Sequence, residues 1–141
     1  VLADAKSKGI KITKQVEPEI GSIDLDENQM TQALLNMLLN ALDAVRSNQQ
    51  IIIFAGIKEN GSLLRIGVED NGTGIPPGNL DKLFTPFHTT KEKGTGLGLS
   101  IVKKIAESHG GSVAAESPPD GEINGSRFTI RIPIDRQGDI V

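Results

Sequence analysis

The sequence predicts an α+β two-layer sandwich, with a mixed, mostly antiparallel sheet of about five strands covered on one face by about three helices. Three observations lead there. Residues 27 to about 47 and 97 to 109 carry apolar side chains at spacings of three and four, the period of one helical face. Segments around them alternate apolar and polar residues as half-buried strands do. The order is strand, helix, paired strands, long loop, helix, paired strands, which indicates one mixed sheet with its helices on a single face. A doubly wound nucleotide-binding sheet is disfavoured, because neither glycine cluster sits between a strand and a helix at the spacing that fold requires.

Each element has its own signal. Residues 1–9 read as the end of a helix or linker, stopped by Gly9, since glycine is common just past a helix C-terminus. Ile10 to Val16 alternates as a strand, Glu17-Pro18-Glu19 makes a turn, and a short strand is expected around Ser22 to Leu25. Asp26 is a fitting N-cap for the long helix running to about Ser47, whose apolar residues include Met30, Ala33, Leu34, Met37, Leu38, Ala41, Leu42 and Val45. Gln50 to Ile57 and Ser62 to Asp70 form a hairpin across Asn60-Gly61. Residues 71 to 95 contain Gly72, Gly74, Pro76, Pro77, Gly78, Pro86 and Gly94 and are no single regular element. A connection this long in a compact domain is usually functional, and residues from about 75 to 95 read as a lid. After the second helix come a strand at Gly111 to Glu116, a Pro/Gly-rich turn, and a last strand from Arg127 to Pro133. Residues 10–134 thus form one domain, and residues 135–141 read as a disordered tail.

Bulk properties exclude several classes. The 141 residues suit one domain with an apolar core, and the net charge of −3 provides no basic field for nucleic acid or an anionic membrane. No apolar run approaches the ~20 residues that span a bilayer. The absence of cysteine rules out a disulfide framework and thiolate metal sites. It also fits a reducing, cytoplasmic compartment. Four phenylalanines are the only aromatic residues, too few for base-stacking platforms.

Three stretches carry chemistry. Lys93-Gly94-Thr95-Gly96-Leu97-Gly98-Leu99-Ser100 opens straight into the second helix. Glycines there let backbone N–H groups approach an anion, and the helix dipole adds positive potential, an arrangement suited to phosphate. The plainer alternative is a flexible turn. On the long helix Asn36, Asn40 and Asp43 form one polar stripe between apolar flanks. Its amides either hydrogen-bond core backbone or supply a neutral oxygen to a Mg²⁺ that arrives on a polyphosphate. At the end of the hairpin, Asp70-Asn71-Gly72-Thr73-Gly74-Ile75-Pro76 sets a carboxylate before a glycine turn. Ionised, it is acceptor-only and suits an exocyclic amine such as that of adenine; alternatively it closes an Asx-turn on its own backbone.

Taken in order, Asn36-Met37-Leu38-Leu39-Asn40-Ala41, Asp70 to Pro76, Leu83-Phe84-Thr85-Pro86-Phe87-His88-Thr89-Thr90-Lys91 and Gly94 to Leu99 resemble the N, G1, F and G2 boxes of the catalytic, ATP-binding domain of sensor histidine kinases. The resemblance runs from Ile10 to about Pro133 and implies a Bergerat fold. The variant Pro-Phe-His-Thr-Thr-Lys is similar to nitrogen-regulation and dicarboxylate-type sensors. The resemblance implies that Asn40 binds the Mg²⁺ bridging the ATP phosphates, with Asn36 beside it. Asp70 would accept the adenine amino group, Gly72, Gly74 and Ile75 would pass close to the base, and Phe84 and Phe87 would anchor the lid. Gly94, Thr95, Gly96, Leu97, Gly98 and Leu99 would cradle the phosphates, with Lys91 and Lys93 neutralising their charge. Lys91 would also replace an arginine that many members carry near Thr89, and Asp43 stands where many have lysine.

Neither histidine fits the family's phosphoacceptor motif: His88 falls in the lid and His109 at a helix end. The acceptor is therefore expected on a separate dimerisation and phosphotransfer domain. The expected sequel is transfer to the receiver domain of a response regulator. The parent protein is expected to be a homodimer and this piece a monomer, with no direct membrane contact. The alternatives are an ATP-hydrolysing module like gyrase or the heat-shock chaperones, an anti-sigma-type serine kinase, and a docking module without chemistry. The first is disfavoured because those relatives carry a water-activating Glu where this chain has Asn36, which cannot act as a base.

Overall fold

The computed structural model describes residues 9–20, 23–58, 61–80, 82–85, 98–119 and 124–135. Strand β1 (Lys11–Val16) and a 3₁₀ turn (Pro18–Ile20) lead to helix α1 (Glu27–Ala44). Strands β2 (Gln50–Lys58) and β3 (Leu63–Asp70) follow, then the single-turn helix α2 (Pro77–Leu80), helix α3 (Gly98–Ser108), β4 (Ser112–Glu116) and β5 (Ser126–Pro133). The sheet order is β1-β2-β3-β5-β4. Only β1 and β2 are parallel, joined across α1 because parallel neighbours need a long crossover; the other three pairs are antiparallel. The expected α+β sandwich with a mixed five-stranded sheet is what the chain forms.

Alternation sorts each strand onto two faces. Ile51, Leu64, Ile66, Val68, Phe128, Ile130 and Ile132 are buried beneath the helices. α1 contributes Met30, Ala33, Met37 and Ala41 to that core, and α3 contributes Val102, Ile105 and Ala106. The two helices lie side by side and run antiparallel. At one end Ser108 Oγ meets Gln29 Oε1 at 3.3 Å, and at the other Asn36 Nδ2 donates to Gly98 O at 3.2 Å.

His109 closes the first of these ends. Its Nε2 accepts from the Asp26 backbone N–H at 3.2 Å, so Nδ1 carries the ring proton and donates to Ile105 O at 2.8 Å. With both nitrogens engaged and 6% exposure, His109 is a structural residue. Asp26 caps α1 as expected, its side chain accepting from Gln29 N at 2.9 Å.

Two expectations are corrected. Residues 23–26 form no strand. Ile23 and Leu25 pack their side chains against the core without a strand partner among the described residues, so alternation here marks a packed loop. Helix α1 ends at Ala44, three residues early, because Val45 turns extended (φ −93°, ψ 153°) and the loop after β3 takes up the terminal carbonyl. The expected N-terminal helix end and C-terminal tail lie outside the described residues.

Candidate nucleotide-binding site

Asp70 ends β3 on the helix-covered face and is 3% exposed. Register places it directly opposite Ser126 on β5. Its Oδ1 accepts from Gly72 N at 2.9 Å, and its Oδ2 accepts from Ser126 Oγ at 2.9 Å. The first bond is the Asx-turn, so the local alternative is realised. It does not use up the group: a carboxylate offers about four lone-pair positions, and these bonds, with a further one from the Ser126 backbone N–H, occupy three. Burial pushes the Asp70 carboxyl above the ordinary carboxylate range, the Gly72 and Ser126 hydrogen bonds oppose that, and the nearby Glu69 charge adds to the rise.

The loop after Asp70 is bonded to the end of α1. Thr73 N donates to Ala44 O at 3.1 Å, using a helix-terminal carbonyl that lacks an intrahelical partner. A Cβ on Gly72 would lie 2.3 Å from that same oxygen, so only glycine fits. Gly74 has φ +78°, a conformation that glycine adopts without a Cβ clash. Next, Ile75 N donates to Ser117 Oγ at 2.8 Å, and Ser117 Oγ donates to Gly125 O at 2.7 Å. One hydroxyl thus ties the loop after β3 to both ends of the β4–β5 connection.

These distances order the site along α1. The Asp70 loop meets its C-terminal residue Ala44; at about 1.5 Å per residue, Asn40 lies about 6 Å back and Asn36 about 12 Å back. At Asn36 the start of α3 joins the line through the Gly98 contact. The Asn36 amide also accepts, its Oδ1 taking a hydrogen bond from Gln32 Nε2 at 3.1 Å. Asn40 is partly buried, and it and Asp43 both have partners within the chain.

Of the expected lid anchors, Phe84 packs edge-to-face on the buried Phe128, with centroids 6.3 Å apart and planes at 86°. Ile75 and Leu99 pack against the core, and Gly98 has open space around it. Phe87, His88, Lys91, Lys93, Gly94, Thr95, Gly96 and Leu97 lie outside the described residues. The structure thus brings Asp70, Gly72, Gly74, Ile75, Asn40, Asn36 and Gly98 along one edge. Sequence reasoning missed Ser117 and Ser126. Both flank the Pro/Gly-rich turn, and only the β3–β5 pairing carries them to Asp70. A groove of about 530 Å³ between Glu17, Phe54, Arg65 and Arg127 lies on the open face of the sheet, away from this edge.

A family model described as histidine kinase-, DNA gyrase B-, and HSP90-like ATPase matches residues 25–136. The chain belongs to this family. Within it, this is an ATP-binding catalytic domain of the sensor histidine kinase kind. The sensor histidine kinase ZraS of Escherichia coli K12 is 40% identical over 134 residues, covering 95% of this chain and 28% of ZraS. The signal transduction histidine-protein kinase AtoS of the same organism is 35% identical over 130 residues, covering 92% of this chain and 21% of AtoS. The chain therefore spans less than a third of the length of these relatives. The nucleotide-free catalytic domain of histidine kinase ThkA superposes with a TM-score of 0.81 at 32% identity, covering 94% of this chain and 85% of that one. A structure of ThkA in complex with the response regulator protein TrrA gives 0.77 at 29% identity, covering 96% of this chain and 37% of that one.

Proposed function

We propose that this domain binds ATP along the α1–α3 edge and transfers its γ-phosphoryl group to a histidine on a separate dimerisation domain of the same protein. The buried Asp70 carboxylate carries the reading: both oxygens are held from within the chain, and a spare lone pair remains for an amine. Adenine offers such an amine, whereas guanine presents a carbonyl at the corresponding ring position. From Asp70 the sequence Asn40, then Asn36 with Gly98, follows the order of base to phosphates.

Mg²⁺ fits this donor set. Among the described residues, no three His, Cys, Asp or Glu side chains gather to hold an ion unaided, so its ligands would be the Asn40 amide oxygen, water and phosphate. Bound there, the ion neutralises phosphate charge. Lys91 and Lys93 would add to that neutralisation, and residues 94–99 would supply the phosphate-binding glycine stretch. Positioning and charge neutralisation are most of what phosphoryl transfer asks of a protein, because the acceptor imidazole brings its own nucleophilic nitrogen. His109 is excluded as acceptor by its two hydrogen bonds. Hydrolysis is disfavoured because Asn36 cannot deprotonate water. The phosphoryl group then passes to a response regulator, a step supported by the ThkA–TrrA complex; the parent is further proposed to be a cytoplasmic homodimer.

Calorimetric titration with ADP and GDP, each with and without Mg²⁺, tests the reading. ADP should bind selectively, more tightly with the metal, and Asn40→Ala should remove the metal-dependent part alone. Failure of both nucleotides to bind at millimolar concentration would overturn it.

A further inference from the structure

Helix α1 has an outward face unlike that of an ordinary surface helix. Leu35 and Leu39 follow the buried Ala33 and Met37 by two residues, about 200° around the helix, and therefore point away from the core. They are 40% and 44% exposed. Between Glu27 and Asp43 the helix carries no charged side chain. Asn28, Thr31 and Gln32 make its first half polar, but between Ala33 and Leu42 the exposed residues are Leu35 and Leu39, where a surface helix normally is charged or polar. Depletion of charge around exposed apolar side chains is the composition of an interface core.

The location of this face says what covers it. Leu39 lies one helical turn from Asn36, whose amide holds Gly98. Ile101, 37% exposed, stands one turn beyond Gly98 on α3. Three of the four exposed large apolar side chains among the described residues, Leu35, Leu39 and Ile101, thus border the phosphate end of the nucleotide edge; the fourth, Val16, is on β1. Resting on the proposed function, we infer that the Leu35–Leu39 ridge is the surface on which the phosphoacceptor domain docks during transfer. An acceptor nitrogen has to reach the γ-phosphate, so its domain must overlie the border of that end of the site. Leucines four residues apart make a ridge that fits the groove of another helix. With Glu27 and Asp43 the only charges on α1, both acidic, the docking helix presents apolar residues flanked by Lys or Arg.

The test is the double variant Leu35→Glu/Leu39→Glu in the full-length protein, with Val16→Glu as control. It has three readouts: ADP affinity, uptake of acid-labile label from γ-labelled ATP, and molecular weight in solution. The docking ridge predicts ADP affinity within twofold of the unsubstituted protein and labelling slowed tenfold or more, with the control normal in both. Labelling at the normal rate overturns the inference. So does loss of ADP binding, which would place the leucines in the nucleotide site or the fold. Dissociation of the double variant into smaller species together with slowed labelling assigns the ridge to a contact between copies and also overturns it. Absence of label from the unsubstituted protein overturns the proposed function instead.

Discussion

Replacing Asp70 by Asn separates the structural and binding duties of one side chain. In Asp70→Asn the retained Oδ1 still accepts from Gly72 N, at 2.9 Å in the parent structure. The amide nitrogen takes the place of Oδ2 and donates to Ser126 Oγ, whose hydroxyl rotates from donor to acceptor. Both contacts survive, so the fold should too. Facing an adenine amine, however, the new NH₂ opposes donor with donor. Loss of a hydrogen bond to a charged group is worth about 1.5–3 kcal/mol, so ADP affinity should fall by about 10- to 150-fold.

Stability should move the other way. Burial is the largest influence on the Asp70 carboxyl and raises its pKa, so the folded chain holds that proton more tightly than the unfolded chain. The stabilisation this gives is fully present below the unfolded carboxylate pKa and is lost as pH rises through the raised folded value. Asp70→Asn removes that loss. Its melting temperature should match or exceed the parent's at pH 7, and its advantage should shrink toward acid pH. Calorimetric titration and thermal melts at two pH values decide the matter. A variant that melts lower at pH 7 yet binds ADP within twofold of the parent would refute the reasoning and leave Asp70 a turn residue alone.

Other outcomes follow from the same contacts. Gly72→Ala drives a Cβ against the Ala44 carbonyl, where backbone rather than a flexible side-chain tip must yield; a loss of about 2–4 kcal/mol is expected in chemical denaturation. Ser117→Ala leaves the Ile75 N–H without its acceptor and frees the loop after β3; a loss of about 1–2 kcal/mol is expected, with weaker ADP binding, and Ser117→Thr should restore both. Phe128→Ala empties a fully buried site and removes the partner of Phe84, costing about 3–5 kcal/mol by thermal or urea melts.

The sequence by itself determined the elements and the family. Periodicity placed α1, α3 and the five strands, because the period of burial is written into which residues are apolar. The spacing of Asn36 and Asn40, of Asp70 before its glycines, and of the second glycine cluster before a helix marked the edge proposed to bind nucleotide. Local pattern failed where the deciding partner is distant in the chain. Residues 23–26 alternate like a strand but are claimed by the core and by His109, 83 residues away from Asp26. Helix α1 stops at Ala44, whose carbonyl is taken by Thr73.

Only the tertiary structure decided what Asp70, Ser117 and Ser126 do together. Ser126 is 56 residues from Asp70 and becomes its hydrogen-bond donor through the β3–β5 register. It also gave Gly72 a packing duty, since its missing side chain makes room for the protein's own helix terminus. Such close approaches depend on how elements pack, and a sequence records the residue that permits the contact without recording the neighbour that makes it.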